Sequence, residues 1–359
     1  MPEIYRSVGR LARKHPGKSI VVDLTSGTKA MTAGVGAAAF FLQQGAHPDL
    51  KVAYVDSDEY DPALRKPVPG TERLILLPNP HEVLGDLDEH IARELYGARK
   101  FGQAAQRFRE LRGKTGQGGF GLYATLCEGY RQWYALEFGG ARSNLRRLLD
   151  ELRQDAWLRH DLATRRRALE VQREGLEAVC QLLHAGDLSR ADGVVWLCAT
   201  LLHLGRECEG AQPDGRPVLA ALYYYRAVEL LLQHRLAVHG YDADHAHLSD
   251  SLREGMRQNI ARWLDTPADR VAVSCRLGLL EDMALLRALG DPVVQDMTDA
   301  EIRGYQGILQ ARNRSLLIHG LQLSQVREVE RLGQLASRLL EKVREQAGLD
   351  PQVAAVPLP

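Results

Sequence analysis

Strand-forming patterns are confined to the first 86 residues of this 359-residue chain. Ser19–Leu24, Lys51–Asp56 and Arg73–Leu77 are short runs of apolar and β-branched residues, the pattern typical of buried strands. Thr28–Gln44, between the first two runs, is rich in small residues and has the length of a helix. A strand, a helix and a second strand joined by short loops predict a right-handed βαβ unit in a parallel sheet.

The rest of the chain has helical periodicity and almost no strand signal, as in the long segments Ile91–Arg112 and Leu122–Gln154. No repeat of fixed period is visible, which favours a bundle over a solenoid. The predicted fold class is therefore α/β plus all-α, a partial Rossmann-like parallel sheet followed by a mostly helical region. We predict four segments: a partial α/β domain at 1–86, a helical connecting domain at 87–188, a second helical domain at 189–348 and a frayed tail at 349–359.

Charge and composition exclude several classes of function. The 46 Lys and Arg residues balance 46 Asp and Glu residues, which argues against a broad surface that coats phosphates without regard to sequence. The five cysteines are widely spaced and form no C-x-x-C pair, as expected for reduced thiols in the cytosol. The longest apolar runs, Ala37–Leu42 and Val194–Leu202, are far shorter than the ~20 residues that span a bilayer. With no signal peptide at the first residues, we expect a cytoplasmic protein that does not enter a membrane.

The strongest local signal lies on a helix predicted over Asp299–His319. Thr298–Glu301 has the pattern of a capping box, which marks the start of a helix. Arg312 and His319 are seven residues apart, so they lie two turns apart on one face. The same face carries the apolar stripe of this helix: Ile302, Tyr305, Leu309 and Leu316.

Arginine and histidine on one helix face suit the cleavage of RNA. The guanidinium of Arg312 can hold a phosphate oxygen and the charge that builds up in the transition state. His319 titrates near neutrality and can move the proton of a 2′-hydroxyl or of the leaving oxygen, while Asn313 could orient either group. The spacing alone leaves a second interpretation equally open, namely a salt bridge between helices beside a hydrogen-bonded core histidine.

An Arg-Asn pair followed closely by a histidine, near the end of a long helix in an all-α domain, resembles the motif of HEPN ribonucleases. In that family the motif helices of two protomers meet in one composite, metal-independent active site. The resemblance implies catalytic roles for Arg312, Asn313 and His319. Arg314, four residues before the histidine, is a second match to the same spacing, so either arginine fits the catalytic position.

A second signal is the sequence VVDLTSGTKAM at Val21–Met31, a strand that runs into a Thr/Ser/Gly turn and then a helix. Such a turn directs backbone N–H groups and hydroxyls toward the phosphates or ribose of a ligand. Lys29 adds a positive charge in the first helical turn. The alternative is an ordinary capped helix with no ligand.

A T-[GS]-G-T-K-x-M loop in a Rossmann-like sheet, ahead of a helical HEPN region, resembles the CARF sensor domain. CARF–HEPN ribonucleases accompany type III CRISPR systems and are activated by cyclic oligoadenylates. The resemblance implies that Thr25, Ser26, Gly27, Thr28 and Lys29 contact the ligand. Ser26 stands where a second glycine is common, a mild departure from the pattern.

Two other polar clusters are expected to be structural. His245 and His247 lie with Asp244 in a polar loop that shows no further ligand pattern, which argues against a metal site. A group of acidic residues is expected to cap and solvate a loop: Asp56, Asp58, Glu59 and Asp61.

These observations predict a homodimeric endoribonuclease that cuts single-stranded RNA, with cyclic oligoadenylate as an allosteric activator. No other cofactor, no metal and no DNA partner is expected. The alternatives are a non-catalytic CARF sensor that recruits a partner, and a HEPN toxin without nucleotide control. Since the T-x-G-T-K loop of CARF domains follows several strands and only 18 residues precede the first strand here, we also expect an N-terminally shortened sensor with weak ligand affinity.

Overall fold

The computed structural model describes residues 2–350 apart from 16–17, 45–46, 48, 65, 155–159, 210–215 and 306–325. The chain divides into two compact units, Met1–Glu128 and Gly129–Pro359. Every described strand belongs to the first unit, and the described part of the second unit is helical.

The first unit contains the predicted βαβ arrangement. Its strands are β1 (Val21–Asp23), β2 (Lys51–Ser57), β3 (Tyr60–Asp61), β4 (Lys66–Pro67) and β5 (Glu72–Leu77). β1 and β2 are parallel neighbours, and the helix α2 (Lys29–Gln44) connects them, which confirms this prediction.

The prediction of a parallel sheet is wrong for the third strand, because β5 pairs antiparallel to β2. The connection between β2 and β5 contains only the short β3–β4 hairpin. Antiparallel strands can be joined without a crossover helix, whereas parallel strands need one. The sheet is therefore mixed, in the order β1–β2–β5.

Helix α2 covers one face of this sheet. Leu42 and Val52 are buried in the core between them, and Val22 and Leu77 pack against that core. Leu74 and Leu76 are exposed (65% and 53%), as is Val21 at 53%. Among the described residues, the second face of the sheet is thus left open and apolar.

The other helices of the first unit are α1 (Pro2–Lys14), α3 (Pro80–Leu84), α4 (Asp86–Gly97) and α5 (Phe101–Thr115), followed by the start of α6 (Gly119–Tyr134). Buried Asn79 caps α3 by accepting the N–H of His81, and its amide donates to the carbonyl of Phe40 at 2.9 Å. This side chain therefore ties α3 to α2.

Two segments expected to be continuous helices are broken in the structure. Ile91–Arg112 is interrupted at Arg99, and Leu122–Gln154 is interrupted at Leu136. Both residues adopt the left-handed backbone conformation, with φ of 59° and 61°. At each break an amide donates to the carbonyl five residues earlier, the bond that ends a helix in a Schellman motif. Glycine is usual at this position, and its absence is why the sequence did not reveal either break.

The second unit contains the helices α7 (Phe138–Gln154), α8 (His160–Thr164), α9 (Arg166–Ala185), α10 (Ala191–Glu209), α11 (Pro217–Val238), α12 (Asp250–Leu264), α13 (Leu279–Ala288), α14 (Pro292–Gln295) and α15 (Val326–Gln346). α10, α11 and α15 pack against one another. The ring of Tyr224 lies against Gly205 on α10 and Gly333 on α15, where a Cβ would come within 2.3 and 2.9 Å of the ring. Within the described residues, no helix combines the length and the apolar character needed to cross a membrane.

Asp282 on α13 is a buried carboxyl group in the second unit. Its side chain is 1% exposed, and its Oδ1 has no hydrogen-bond partner among the described residues. Burial raises the pKa of Asp282 to about 8, and the nearby charge of Glu229 adds to this effect. The folded protein therefore keeps this proton at a pH at which the unfolded chain has lost it.

We expect Asp282→Asn to stabilise the protein above neutral pH. Between pH 3.8 and about 8 the unfolded carboxyl is ionised while the folded one is not, so its contribution to stability falls as the pH rises. Asparagine has nearly the same shape and does not titrate, so the gain should be about 5 kcal/mol at pH 8 and vanish near pH 4. Urea unfolding at pH 4, 6 and 8 measures this, with Asp269→Asn, a change at an exposed acid, as the control. An equal gain in stability at all three pH values would contradict a raised pKa of Asp282 in the folded protein.

Candidate functional site

The loop between β1 and α2 is held by Asp23 and Thr25. The Asp23 carboxylate accepts the backbone N–H and the hydroxyl of Thr25, at 2.8 and 2.5 Å. These two hydrogen bonds lower the pKa of Asp23. The Thr25 hydroxyl oxygen in turn accepts the N–H of Val55 on β2, at 2.7 Å. Thr25 thus fastens the loop to the neighbouring strand.

The structure brings the five predicted ligand residues together on one exposed loop. Gly27 has φ of 123°, a conformation that side-chain-bearing residues rarely adopt. The Thr28 hydroxyl oxygen accepts the N–H of Met31 at 3.4 Å, in the first turn of α2, and can still donate its own proton. Because the Thr25 hydroxyl is used within the loop, Ser26, Thr28 and Lys29 carry the side-chain groups that can face an anion.

The residues predicted to be catalytic, Arg312, Asn313, Arg314 and His319, lie outside the described residues. The structure does describe where their helix begins. Residues 299–305 are helical, and Ile302 of the predicted apolar stripe is fully buried.

The capping box at the start of this helix is confirmed. The Glu301 N–H donates to the Thr298 hydroxyl oxygen at 3.2 Å, and the Thr298 N–H donates to the Glu301 carboxylate at 2.7 Å. Arg338 on α15 also donates to Glu301, at 2.7 Å. The bonds from Thr298 and from Arg338 lower the pKa of Glu301 to about 2. Glu301 therefore joins the first turn of the helix to α15.

A second anchor lies in the same turn, at Asp299. Its carboxylate accepts the indole N–H of Trp263 on α12 at 2.8 Å and a guanidinium N–H of Arg287 on α13 at 3.3 Å. Arg287 is 14% exposed and also donates to the backbone carbonyls of Val294 and Met297. The helix that leads to the predicted catalytic residues is thus fixed to three other helices.

A buried polar cluster of the second unit, around Asp291, is not among the sites predicted from the sequence. This side chain is 0% exposed and accepts two N–H groups of Arg235, at 2.8 and 2.9 Å, and the Nε2 of His239 at 2.8 Å. Burial would raise the pKa of Asp291, but the hydrogen bonds from Arg235, from the Val293 N–H and from His239 lower it. An Asp-Pro pair is a common helix start, and this was the signal available in the sequence.

The two other polar clusters were expected to be structural. Asp61 caps its loop, accepting the N–H groups of Ala63 and Leu64 at 2.8 and 2.9 Å, as expected. Asp244 pairs with Arg276 at 3.3 Å on the surface. The part of the chain that the structure describes holds no group of three or more side chains suited to bind a metal ion.

Comparison with known proteins extends over nearly the whole chain. The chain is 47% identical over 348 residues to the CRISPR system endoribonuclease Csm6 of Thermus thermophilus. The aligned region covers 97% of this chain and 74% of the relative. The chain belongs to the Csm6 family. Residues 84–176 match the model of the Csm6 6H domain, and residues 187–343 match that of the Csm6 HEPN domain. The predicted membership of the CRISPR-associated CARF–HEPN ribonucleases is therefore confirmed at the level of the family. The predicted HEPN domain is confirmed separately by the match at residues 187–343.

Proposed function

We propose that this Csm6-family protein is a metal-independent endoribonuclease that cuts single-stranded RNA at a site shared by two copies of the chain. We further propose that cyclic oligoadenylate, bound at the β1–α2 loop, activates it. The HEPN match at 187–343 includes Arg312 to His319. It supports the HEPN assignment of these residues over a structural ion pair.

The observation that carries the proposal is the anchoring of the helix that leads to these residues. Asp299 and Glu301 fix its first turn to α12, α13 and α15. Catalytic groups need support that holds them within a fraction of an ångström of the productive geometry. A helix that only packs could do without an indole donor and two guanidinium donors at its first turn.

The proposed reaction is an internal transfer of the phosphate. The 2′-hydroxyl of a ribose loses its proton and attacks the adjacent phosphorus, and the bond to the 5′-oxygen of the next nucleotide breaks as that oxygen gains a proton. The products are a 2′,3′-cyclic phosphate and a 5′-hydroxyl. Arg312 or Arg314 would stabilise the phosphate charge, His319 would handle the proton, and Asn313 would orient them.

Two copies are needed in this proposal because each chain supplies one Arg–His set. A two-fold symmetric interface brings the same surface of both chains together and so unites two sets. We place the homodimer in the cytoplasm, in agreement with the five cysteines, all of which are free thiols.

The sensor part of the proposal assigns roles within the loop. Ser26, Thr28, Lys29 and the first amides of α2 would hold phosphates, because the N-terminus of a helix attracts anions. Thr25 would position the loop through Asp23 and Val55. Binding would activate cleavage only through a difference in affinity between the inactive and active states of the dimer.

This proposal predicts that cyclic tetra- or hexa-adenylate accelerates cleavage of a fluorescent single-stranded RNA by about tenfold or more. Lys29→Ala should lose most of this acceleration. Lys51→Ala is the matched control, because Lys51 is an exposed lysine at the opposite end of the β1–β2 pair. Rapid cleavage that neither ligand changes would contradict the sensor assignment, and binding of both ligands without any cleavage would favour a non-catalytic sensor.

A further inference from the structure

Strand β1 ends at Asp23, next to the ligand loop, and its parallel neighbour β2 continues past this point to Ser57. In their parallel register Asp23 lies opposite Ala53, and the Thr25 hydroxyl accepts the N–H of Val55 two residues further on. Ligands of open α/β sheets bind outside the carboxyl ends of parallel strands. The next residue of β2 after this contact is Asp56, so its carboxylate stands at the edge where a ligand of the loop would bind.

The pleat of β2 decides which way Asp56 points. Alternate residues of a strand share a face, so Asp56 is on the same face as Val52, which packs in the core under α2. Helix α2 packs on this face and begins at Lys29, six residues after β1 ends at Asp23. The Asp56 side chain is therefore on the side of the sheet where the predicted phosphate-binding groups lie.

Asp56 has a partly used carboxylate and an aromatic neighbour. Its Oδ1 accepts the N–H of Ser57 at 2.9 Å and the hydroxyl of Tyr60 at 3.1 Å. Within the described residues, its Oδ2 makes no hydrogen bond. Tyr60 is 51% exposed although its hydroxyl is held by Asp56, so part of the residue is open to solvent.

A carboxylate beside a phosphate-binding loop repels phosphate, so it faces the neutral donors of a nucleotide. A ribose 2′-hydroxyl is such a donor, and exposed aromatic rings stack on bases. We propose that Asp56 and Tyr60 form the nucleoside-binding part of the sensor site, with the Asp56 carboxylate accepting a hydrogen bond from a ribose 2′-hydroxyl and the Tyr60 ring stacking on adenine. This inference rests on the proposed function, since the ligand is a cyclic oligoadenylate.

The test compares cyclic tetra-adenylate with its 2′-deoxy counterpart by isothermal titration of the full chain, and uses the cyclic hexa-adenylates if neither binds. The wild type should bind the ribose form about tenfold more tightly than the deoxy form. Asp56→Ala should remove this preference, and Asp58→Ala should keep it. Asp58 is the control because it is an exposed acid two residues away that pairs with Arg73 at 3.1 Å. Asp56→Leu, which likewise has no acceptor, serves as a second variant if the alanine variant fails to fold.

Tyr60 is tested with the same two ligands. Tyr60→Leu should weaken both by a similar factor, and Tyr60→Phe, which keeps the ring, should bind almost as the wild type does. An unchanged ribose preference in folded Asp56→Ala would overturn the inference and leave the proposed activation intact. Failure of the wild type to bind either cyclic tetra-adenylate or cyclic hexa-adenylate would overturn both this inference and the proposed activation by cyclic oligoadenylate.

Discussion

Replacing His319 by alanine is expected to lower the rate of RNA cleavage by about a thousandfold, and replacing Arg312 by a similar factor. His319 moves the proton in the proposed reaction, and the guanidinium stabilises the charge on the phosphate. Their loss should leave the fold intact, because the anchors at Asp299 and Glu301 do not involve either residue. Initial rates on a fluorescent single-stranded RNA, with saturating cyclic oligoadenylate, measure the effect.

Arg314→Ala distinguishes the two arginines of the motif. If Arg312 is the catalytic residue, Arg314→Ala should cut at close to the wild-type rate, and the opposite result would give the role to Arg314. Circular dichroism and sedimentation should show the helicity and the dimer unchanged in each variant. Wild-type cleavage by His319→Ala would contradict the proposed chemistry whichever arginine is used.

Asp291→Ala is expected to destabilise the second unit by about 3–5 kcal/mol, because it leaves a buried charge without its partner. Arg235 is 11% exposed and would lose both of its bonds to the fully buried carboxylate. The bond from His239, which links the end of α11 to the start of α14, would be lost as well.

Asp296→Ala is the matched control for this loss. Asp296 lies five residues further on and pairs with Lys342, but its side chain is 63% exposed. Exposed ion pairs contribute about 0–1 kcal/mol, so its removal should have little effect. Urea unfolding followed by circular dichroism measures both variants. A loss of about 1 kcal/mol or less for Asp291→Ala would show that the Asp291 cluster does not stabilise the fold.

The features predicted correctly from the sequence depend on neighbours along the chain. The capping box needs only Thr298 and Glu301, which are one turn apart. The β1–α2–β2 unit follows from apolar runs and a loop of ordinary length. Local patterns of this kind can be recognised from the spacing of residues alone.

Apart from the two helix breaks at Arg99 and Leu136, the features that were missed depend on partners distant in sequence. Arg235 meets Asp291 across 56 residues, and the Thr25 hydroxyl meets Val55 across 30. No spacing rule connects such pairs. The antiparallel direction of β5 likewise depends on how the chain returns to β2, and an apolar run is the same for either direction.

The most direct test of the account is the chemistry of the cut ends. RNA should be digested in EDTA with wild-type protein and cyclic oligoadenylate, with His319→Ala as the blank. The fragments are then examined for their terminal groups by mass spectrometry. The account predicts 2′,3′-cyclic phosphate and 5′-hydroxyl ends at an undiminished rate, and no fragments with the variant. Ends with a 3′-hydroxyl and a 5′-phosphate, or cleavage that stops in EDTA and returns with a divalent cation, would contradict it.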